Sequence, residues 1–583
     1  MSQTVEFQPA SEPTTTTTTA EKAGEIPLSP LIDNVLLRSV ERYLDRVAPA
    51  PGESWPDAIT IKESVIGSCN DYIAGLNAQL TGRDRHPKLK ALHNAQIATI
   101  LARVHRVVGI TPDASSINRD ALLLGMYQHS GPELGCYTTD EATIRAVAMQ
   151  YNMLATERDH REILALLRVQ VDVVTQNRDR DLIAVNNGIF NYMTKELHKF
   201  DPEVVFLNKV RTDWNPSAQS PQITMHDGQV WEFDAWLLDL FNGDAALTQL
   251  MLQAIGACVR PYVRWKKTAL LFDERGNNGK GTLLELIRGV LGPGGFITMA
   301  LSEFHGFHME RLTRGGTILC DENNESYMND LMKLKAVITG DPIHIDRKNR
   351  LSVEHQHNGF MIQCVNSLPK LKDRTGSMKR RLLPIPFSKS FTGVERSYIR
   401  DDYMTRPDVR EYVLKLVLSG IPDYYEFADA DASREALHEQ MLANSAVRQF
   451  WESVEPFLVW DLVPYVFLYD LYKAWLTHNN PSSHPLSRLE FDKEFFAVVA
   501  EDAAGPWEAH PDRRKVYRTG TKMDEPEPLI ARYDLHDWMN QNYAGNDPRR
   551  IVAFAKAPRY KGAIVRRVPK AVQAAAAGID EED

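Results

Sequence analysis

Lys280 lies in the stretch TALLFDERGNNGKGTLLELI, Thr268 to Ile287, where a lysine among Gly and Asn separates two apolar runs. The chemistry open to it is charge neutralisation. Backbone N–H groups of a tight loop and a helix N-terminus attract phosphate oxygens, and an ammonium completes the cradle. Gly276, Asn277, Asn278, Gly279 and Gly281 tolerate the tight, sometimes left-handed geometry such a loop needs. The usual phosphate-loop spelling is broken twice: Glu274 stands where the leading glycine belongs, and Gly281 stands where a hydroxyl follows the lysine. Thr282 offers that hydroxyl, a Mg²⁺ ligand, one position late. Taken alone, the string fits a phosphate cradle or an ordinary Gly/Asn turn.

Three further groups follow in order. GGTILCDENNES reads as a buried strand ending in Asp321 and Glu322, a pair suited to holding Mg²⁺ with one carboxylate and activating water with the other. A solvated strand end gives the same spelling. HNGFMIQCVNSLPKL ends in Asn366, a neutral group able to orient a water or touch a γ-phosphate. DRTGSMKRRLLPIPF carries Arg380 and Arg381 into another apolar strand; a planar, permanently charged guanidinium suits a phosphoryl group in transfer, also from a neighbouring subunit, and equally suits a surface ion pair.

These residues require an alternating α/β scaffold. Leu283, Leu284, Ile287 and Val290 recur at helical spacing after the strand Thr268 to Phe272, and strand-like runs alternate with loops and helices to about Phe387. The chain of 583 residues suffices for roughly three or four domains. We expect a disordered tail at 1–28, a helical N-terminal domain at 29–181, and a small α/β and helical domain at 182–265. The nucleotide-binding core is expected at 266–390, a helical lid or linker at 391–444, a helix-helix-helix-wing domain at 445–568 and a tail at 569–583.

A net charge of −10 argues against wholesale coating of nucleic acid and leaves room for a basic groove. The five cysteines form no CxxC pair, which argues against a zinc ribbon and for a reducing compartment. No apolar run reaches membrane-spanning length and no signal peptide is read, so a cytoplasmic protein without membrane association is expected.

In order and spacing, GNNGKGTLLELI, GGTILCDENN, LKAVITGDPIHIDRKNR, MIQCVNSLP and MKRRLLPIPF resemble the superfamily 3 helicase core of phage, plasmid and poxvirus primase-helicases. AVNNGIFNYMTKELHKFDPEVVFLNKVRTDWNP is similar to the domain that precedes that core, and the C-terminal region to the winged-helix domain often found after it. The resemblance covers roughly Leu182 to Phe387, with Glu274 as a departure. It implies a multidomain α/β chain with a P-loop, AAA+-like core, assembled as a hexameric ring that holds ATP and Mg²⁺ between subunits. Thr282 is similar in position to the family's metal-binding hydroxyl, and Arg381, rather than Arg380, to its arginine finger. The hairpin after the acidic strand, with Arg347, Lys348 and Arg350, is expected on single-stranded DNA. Further basic clusters, Arg513 to Lys515 and Arg566-Arg567, fit duplex DNA.

The expected activity is ATP-dependent unwinding in phage or mobile-element replication, in the bacterial cytoplasm, at fork DNA and beside a primase or polymerase. The alternatives are an origin-binding initiator whose ATPase serves assembly, and an ATPase acting on protein, which would need no basic hairpin. Neither a polymerase domain with spaced metal-binding acids nor a zinc module is read in the N-terminal region, so primer synthesis is not among the expected activities.

Overall fold

A computed structural model describes residues 32–569 except 51–52, 112–117, 120–121, 274–275, 324–330, 349–351, 370–376, 503, 513, 540–543 and 547–556. The expected tails, Pro569 apart, lie outside the described residues, as do Glu274, Arg275, Arg350 and Arg513. The chain divides into two units, 1–107 with 141–171, and 108–140 with 172–583. It is a mixed α/β multidomain protein. Among the described residues, no helix is long and apolar enough to cross a membrane.

The first unit is helical. Helix Ala58–Asn77 buries Ile61, Val65, Cys69 and Ile73, four residues apart on one face, and Asp57 caps it by accepting from the N–H groups of Ile59 and Thr60. Helix Glu157–Gln170 starts on a capping box between Thr156 and Asp159. Helices alone do not fill 29–181, however. Tyr137–Thr138, Leu123–Tyr127, Val107–Thr111 and Val173–Thr175 form a four-stranded sheet in that spatial order. The run VVGIT is buried at every position and too short for a helical stripe, which is how a strand covered on both faces reads.

In the second unit, LIAVNNGIFNYMTKELH folds as the expected antiparallel hairpin, extended by a third strand: Leu182–Val185, Gly188–Asn191 and Glu196–His198. Helices Phe233–Leu240 and Ala245–Val259 are separated at Asn242 and Gly243, which take φ of 53° and 83°. The second of these helices is buried from Leu250 to Val259, against the central sheet.

That sheet has five strands in the spatial order Phe296–Thr298, Thr317–Cys320, Met361–Val365, Thr268–Phe272, Leu382–Pro386. Every pairing is parallel. The first strand in the sequence therefore sits between the fourth and the fifth, and all five carboxyl ends share one edge. Helix Lys280–Leu291 covers the sheet with Leu283, Leu284, Leu286, Ile287, Val290 and Leu291, each buried and each contributing about 2 kcal/mol by burial. Backbones approach closely at the amino edge: a Cβ on Gly359 would lie 2.3 Å from the carbonyl oxygen of Gly316. Gly359→Ala should push the acidic and asparagine strands apart and cost about 1–3 kcal/mol. A lower urea midpoint for unfolding of the second unit checks this, and an unchanged midpoint would mean the strand ends have slack.

Candidate functional site

The parallel register collects residues far apart in sequence. Asp273 and residues 276–279 follow the carboxyl end of strand Thr268–Phe272, Asp321 and Glu322 leave that of Thr317–Cys320, and Asn366 that of Met361–Val365. The loop takes left-handed geometry at Gly276 (φ 69°), Asn277 (φ 51°) and Gly279 (φ 85°). Asn accepts such a φ better than most residues. Gly279 has a second reason to be glycine, since a Cβ there would lie 2.6 Å from Leu240 Cδ1.

The loop closes on Asp273. Buried Asn278 donates from Nδ2 to Asp273 Oδ2 at 2.8 Å, and Lys280 Nζ donates to the Asp273 carbonyl at 3.2 Å. Asn277 donates to Glu395 Oε1 at 2.5 Å and accepts the Phe391 N–H at 2.9 Å, which ties the loop to the segment after the last strand. Partial burial lowers the Lys280 pKa from the ordinary lysine value, against the pull of Asp273 and Asp321 nearby. Its charge is thus incompletely compensated by water, a condition that favours an anionic ligand.

Asp321 comes from the other side. A Cβ on Gly281 would lie 3.9 Å from Asp321 Oδ1 and 3.9 Å from Arg400 Nη1, so a carboxylate and a guanidinium flank the first turn of the helix. Asp321 also lies 3.7 Å from Arg288 Nη1. Glu322 and Asn366 are exposed at the same edge. A cavity of about 770 Å³ opens beside the loop, with Asn277, Gly279 and Thr282 on one side and Trp236, Phe391 and Arg400 among its other walls. Its size suits a small-molecule ligand.

Arg380 and Arg381 are elsewhere. They immediately precede Leu382, which pairs with Thr268 at the start of the neighbouring strand, so they stand at the amino edge, opposite the loop. Arg381 Nη1 donates to the Ser377 carbonyl at 2.6 Å, and Arg380 is exposed. The hairpin Pro342–Ile345 with Val353–Gln356 brings a correction. Burial alternates along it, with Ile343, Ile345 and Arg347 inside and His344, Asp346 and Lys348 outside. Arg347 shares the parity of the two isoleucines and is 8% exposed, so it does not stand on the hairpin surface; Lys348 does.

Two features escaped the sequence reading. Arg400 is one, carrying no local pattern. The other is Asn323, which donates to Gln363 Oε1 at 3.0 Å and to the Cys364 carbonyl at 2.9 Å, and accepts the Leu301 N–H at 2.8 Å. Fully buried Gln363 continues the chain of bonds to the Met299 carbonyl at 3.1 Å. The acidic strand end is thereby fastened to its neighbours on both sides, directly behind Asp321 and Glu322. An Asn at the end of a buried strand was the available signal.

The described cysteines are buried, and burial pushes the Cys136 and Cys364 thiols up to about 12, so they stay protonated near neutral pH.

Comparison with known families adds to this geometry. Residues 126–242 match a family model described as D5 N terminal like, and residues 443–538 match one described as Poxvirus D5 protein-like. These two matches support a phage- and poxvirus-type primase-helicase family for the chain. Residues 271–381, which hold the loop's lysine, the acidic strand end and the paired arginines, match a family of unknown function (DUF5906). Two apo structures of the NrS-1 C-terminal region align over 81% and 79% of this chain and 99% of theirs, with 13% identity and TM-scores of 0.39 and 0.40. Likeness at that level carries no functional inference. Matches to models of this type are compatible with a function in replication.

Asn323→Ala should leave Gln363 and the Cys364 carbonyl short of a donor, costing about 1–3 kcal/mol of stability. In the same variant, ligand turnover at the carboxyl edge should fall further than ligand affinity, because the carboxylates lose their support. Equal losses of both would limit Asn323 to a structural role.

Proposed function

We propose that the chain is an ATP-dependent DNA helicase of the superfamily 3 type, a P-loop ATPase that hydrolyses ATP at the interfaces of a ring and moves along single-stranded DNA. The observation that carries this reading is the shared carboxyl edge, where a left-handed loop, a helix N-terminus, Lys280 and Asp321 converge beside a cavity. The backbone N–H groups of 276–282 and the Lys280 ammonium would receive the β- and γ-phosphates. The cavity beside them has room for the nucleoside. Thr282 and Asp321 would hold Mg²⁺, which when bound offsets phosphate charge. The fit rests on Asp321 reaching the first helical turn and on Thr282 lining the cavity.

Glu322, one residue beyond and exposed, would take a proton from attacking water, with Asn366 orienting it. Arg400, on the same edge as the loop, acts within its own subunit. Arg381 stands at the other edge, and a strand of five residues separates the two edges by roughly 16 Å. That separation favours a cation supplied to a neighbour's site, the role proposed for Arg381 by its position in the family's motif, with Arg380 beside it. In the central channel, the exposed Lys348 of the hairpin would contact DNA phosphates, with Arg350 beside it in sequence.

Lys280→Ala should lower ATP turnover by on the order of 100-fold or more while the protein stays folded, and Thr282→Ala should lose activity that Thr282→Ser keeps. Glu322→Gln should bind ATP and fail to hydrolyse it. Steady-state hydrolysis and nucleotide binding read these outcomes, and normal turnover by Lys280→Ala would reject the site. Strand displacement on a forked duplex tests the helicase itself; origin melting without displacement of a long strand would assign the ATPase to initiation.

Arg381→Ala should bind ATP, assemble and lose hydrolysis by about 1,000-fold or more. Mixed with Lys280→Ala subunits, it should regain activity, because one class of interface joins an intact loop to an intact Arg381. Arg400→Ala mixed in the same way should not. Failure of the first mixture to recover in demonstrably mixed rings would sink the assignment in trans.

A further inference from the structure

A second, smaller cavity lies wholly within the second unit and shares no residue with the loop edge. Leu123, Leu207 and Tyr262 give it an apolar lining, and residues of the segment after Val173–Thr175 and of the hairpin strand Val353–Gln356 give it a polar one. Its volume is about 130 Å³. A cavity of about 150 Å³ takes one benzene ring, so this one has room for a single six-membered ring and none for a fused pair.

The polar lining is held in a fixed order. Gln176 donates from Nε2 to the Tyr262 hydroxyl at 3.3 Å and accepts at Oε1 from Asn358 Nδ2 at 3.4 Å, while Gln356 is pinned through Nε2 to the Gly340 carbonyl at 2.7 Å. His355, beside Gln356 in the same strand, lines the cavity and is only 6% exposed, yet its Nε2 has no hydrogen-bond partner among the described residues. A buried ring nitrogen left open in this way calls for a partner from outside the chain. Burial lowers the His355 pKa to about 4, so the ring is neutral near pH 7 and offers a hydrogen bond rather than a charge. That suits the edge of a base better than a phosphate. Exposed Glu354, the one carboxylate among the lining residues, adds an acceptor of the kind that takes the cytosine amine.

Two cations complete the lining. Arg178 and Arg264 are both exposed there, and neither is ion-paired among the described residues. Guanidinium forks match phosphate oxygens. A terminal phosphate carries a charge of about −1.5 to −2 near neutral pH, which two such groups balance, whereas a phosphodiester within a strand carries one charge.

We infer that this cavity is a second nucleotide site, which takes a free pyrimidine nucleoside monophosphate with its base among Tyr262, His355 and the amides and its phosphate on Arg178 and Arg264. The site is independent of the nucleotide chemistry proposed above.

The test is calorimetric titration of the full chain, kept in a non-hydrolysable ATP analogue and Mg²⁺, with dTMP, dCMP, dAMP, thymidine and ribose 5-phosphate. One dTMP or dCMP should bind per chain, with dAMP about tenfold weaker or more, because the fused ring exceeds the cavity. Arg178→Ala/Arg264→Ala, at exposed positions that leave the fold alone, should weaken dTMP about tenfold or more and leave thymidine unchanged. Leu123→Phe should lose both ligands while thermal stability holds. Lys280→Ala should bind dTMP like the parent, so that failure of the ATPase reading and failure of this one are separable. Absence of dTMP and dCMP binding overturns the inference, as does dAMP binding equal to dTMP. Ribose 5-phosphate binding as tightly as dTMP would also overturn it, by leaving the arginines as a simple anion site. So would an oligothymidine without a terminal phosphate that displaces dTMP at equal or lower concentration, which would assign the cavity to a strand.

Discussion

Parallel hydrogen bonding of the five central strands is the constraint from which the rest of the molecule follows. Parallel strands send all their carboxyl ends to one edge, so residues separated by almost 100 positions, from Asp273 to Asn366, gather without any long-range contact of their own. The first strand in sequence lies between the fourth and fifth, which opens the crevice where its loop emerges; ligands of open α/β sheets bind at such reversals of strand order. The helical pair before the sheet is a further consequence. Strands paired on both sides need apolar cover, and Ala245–Val259, buried along its last ten residues, supplies it.

Within that frame, the loop balances costs against local bonds. Left-handed geometry at Asn277 is uncommon for a residue with a side chain, and Asn277 is tied to Glu395 and Phe391 in that shape. Asn278 and Lys280 both reach back to Asp273, so the loop is held from its own entrance. Its partly desolvated lysine faces an edge that also carries Asp321, Glu322 and Arg400, a mixture of signs suited to a ligand with both phosphate and metal character.

The legible parts of the fold were those with a strong local signal. The strand-loop-helix at 268–291 could be read because Leu283, Leu284 and Ile287 keep a helical period and the glycines mark the turn. The hairpin at 182–191 could be read from its Asn-Gly turn. The sheet inside 107–175 could not, because its strands are short, interrupted by helices and paired out of sequence order. Arg347 was legible but misread: the charge run RKNR drew attention away from the two-residue period that Ile343 and Ile345 had already set. Arg400 and the Asn323-Gln363 pair depend on which strands become neighbours, and no single stretch carries that information. The same holds for Arg178 and Arg264, distant in sequence and brought to one cavity only by the fold.

The placement of Arg381 at the edge opposite Lys280 has a consequence for dosage. On the proposed reading, a lone chain holds a nucleotide and has no means of consuming it. Specific activity then depends on protein concentration, low below the threshold for assembly and rising steeply above it. Newly made copies would accumulate as a silent, ATP-loaded reserve and become an engine together, so that the onset of unwinding reports how much protein is present without any separate regulator.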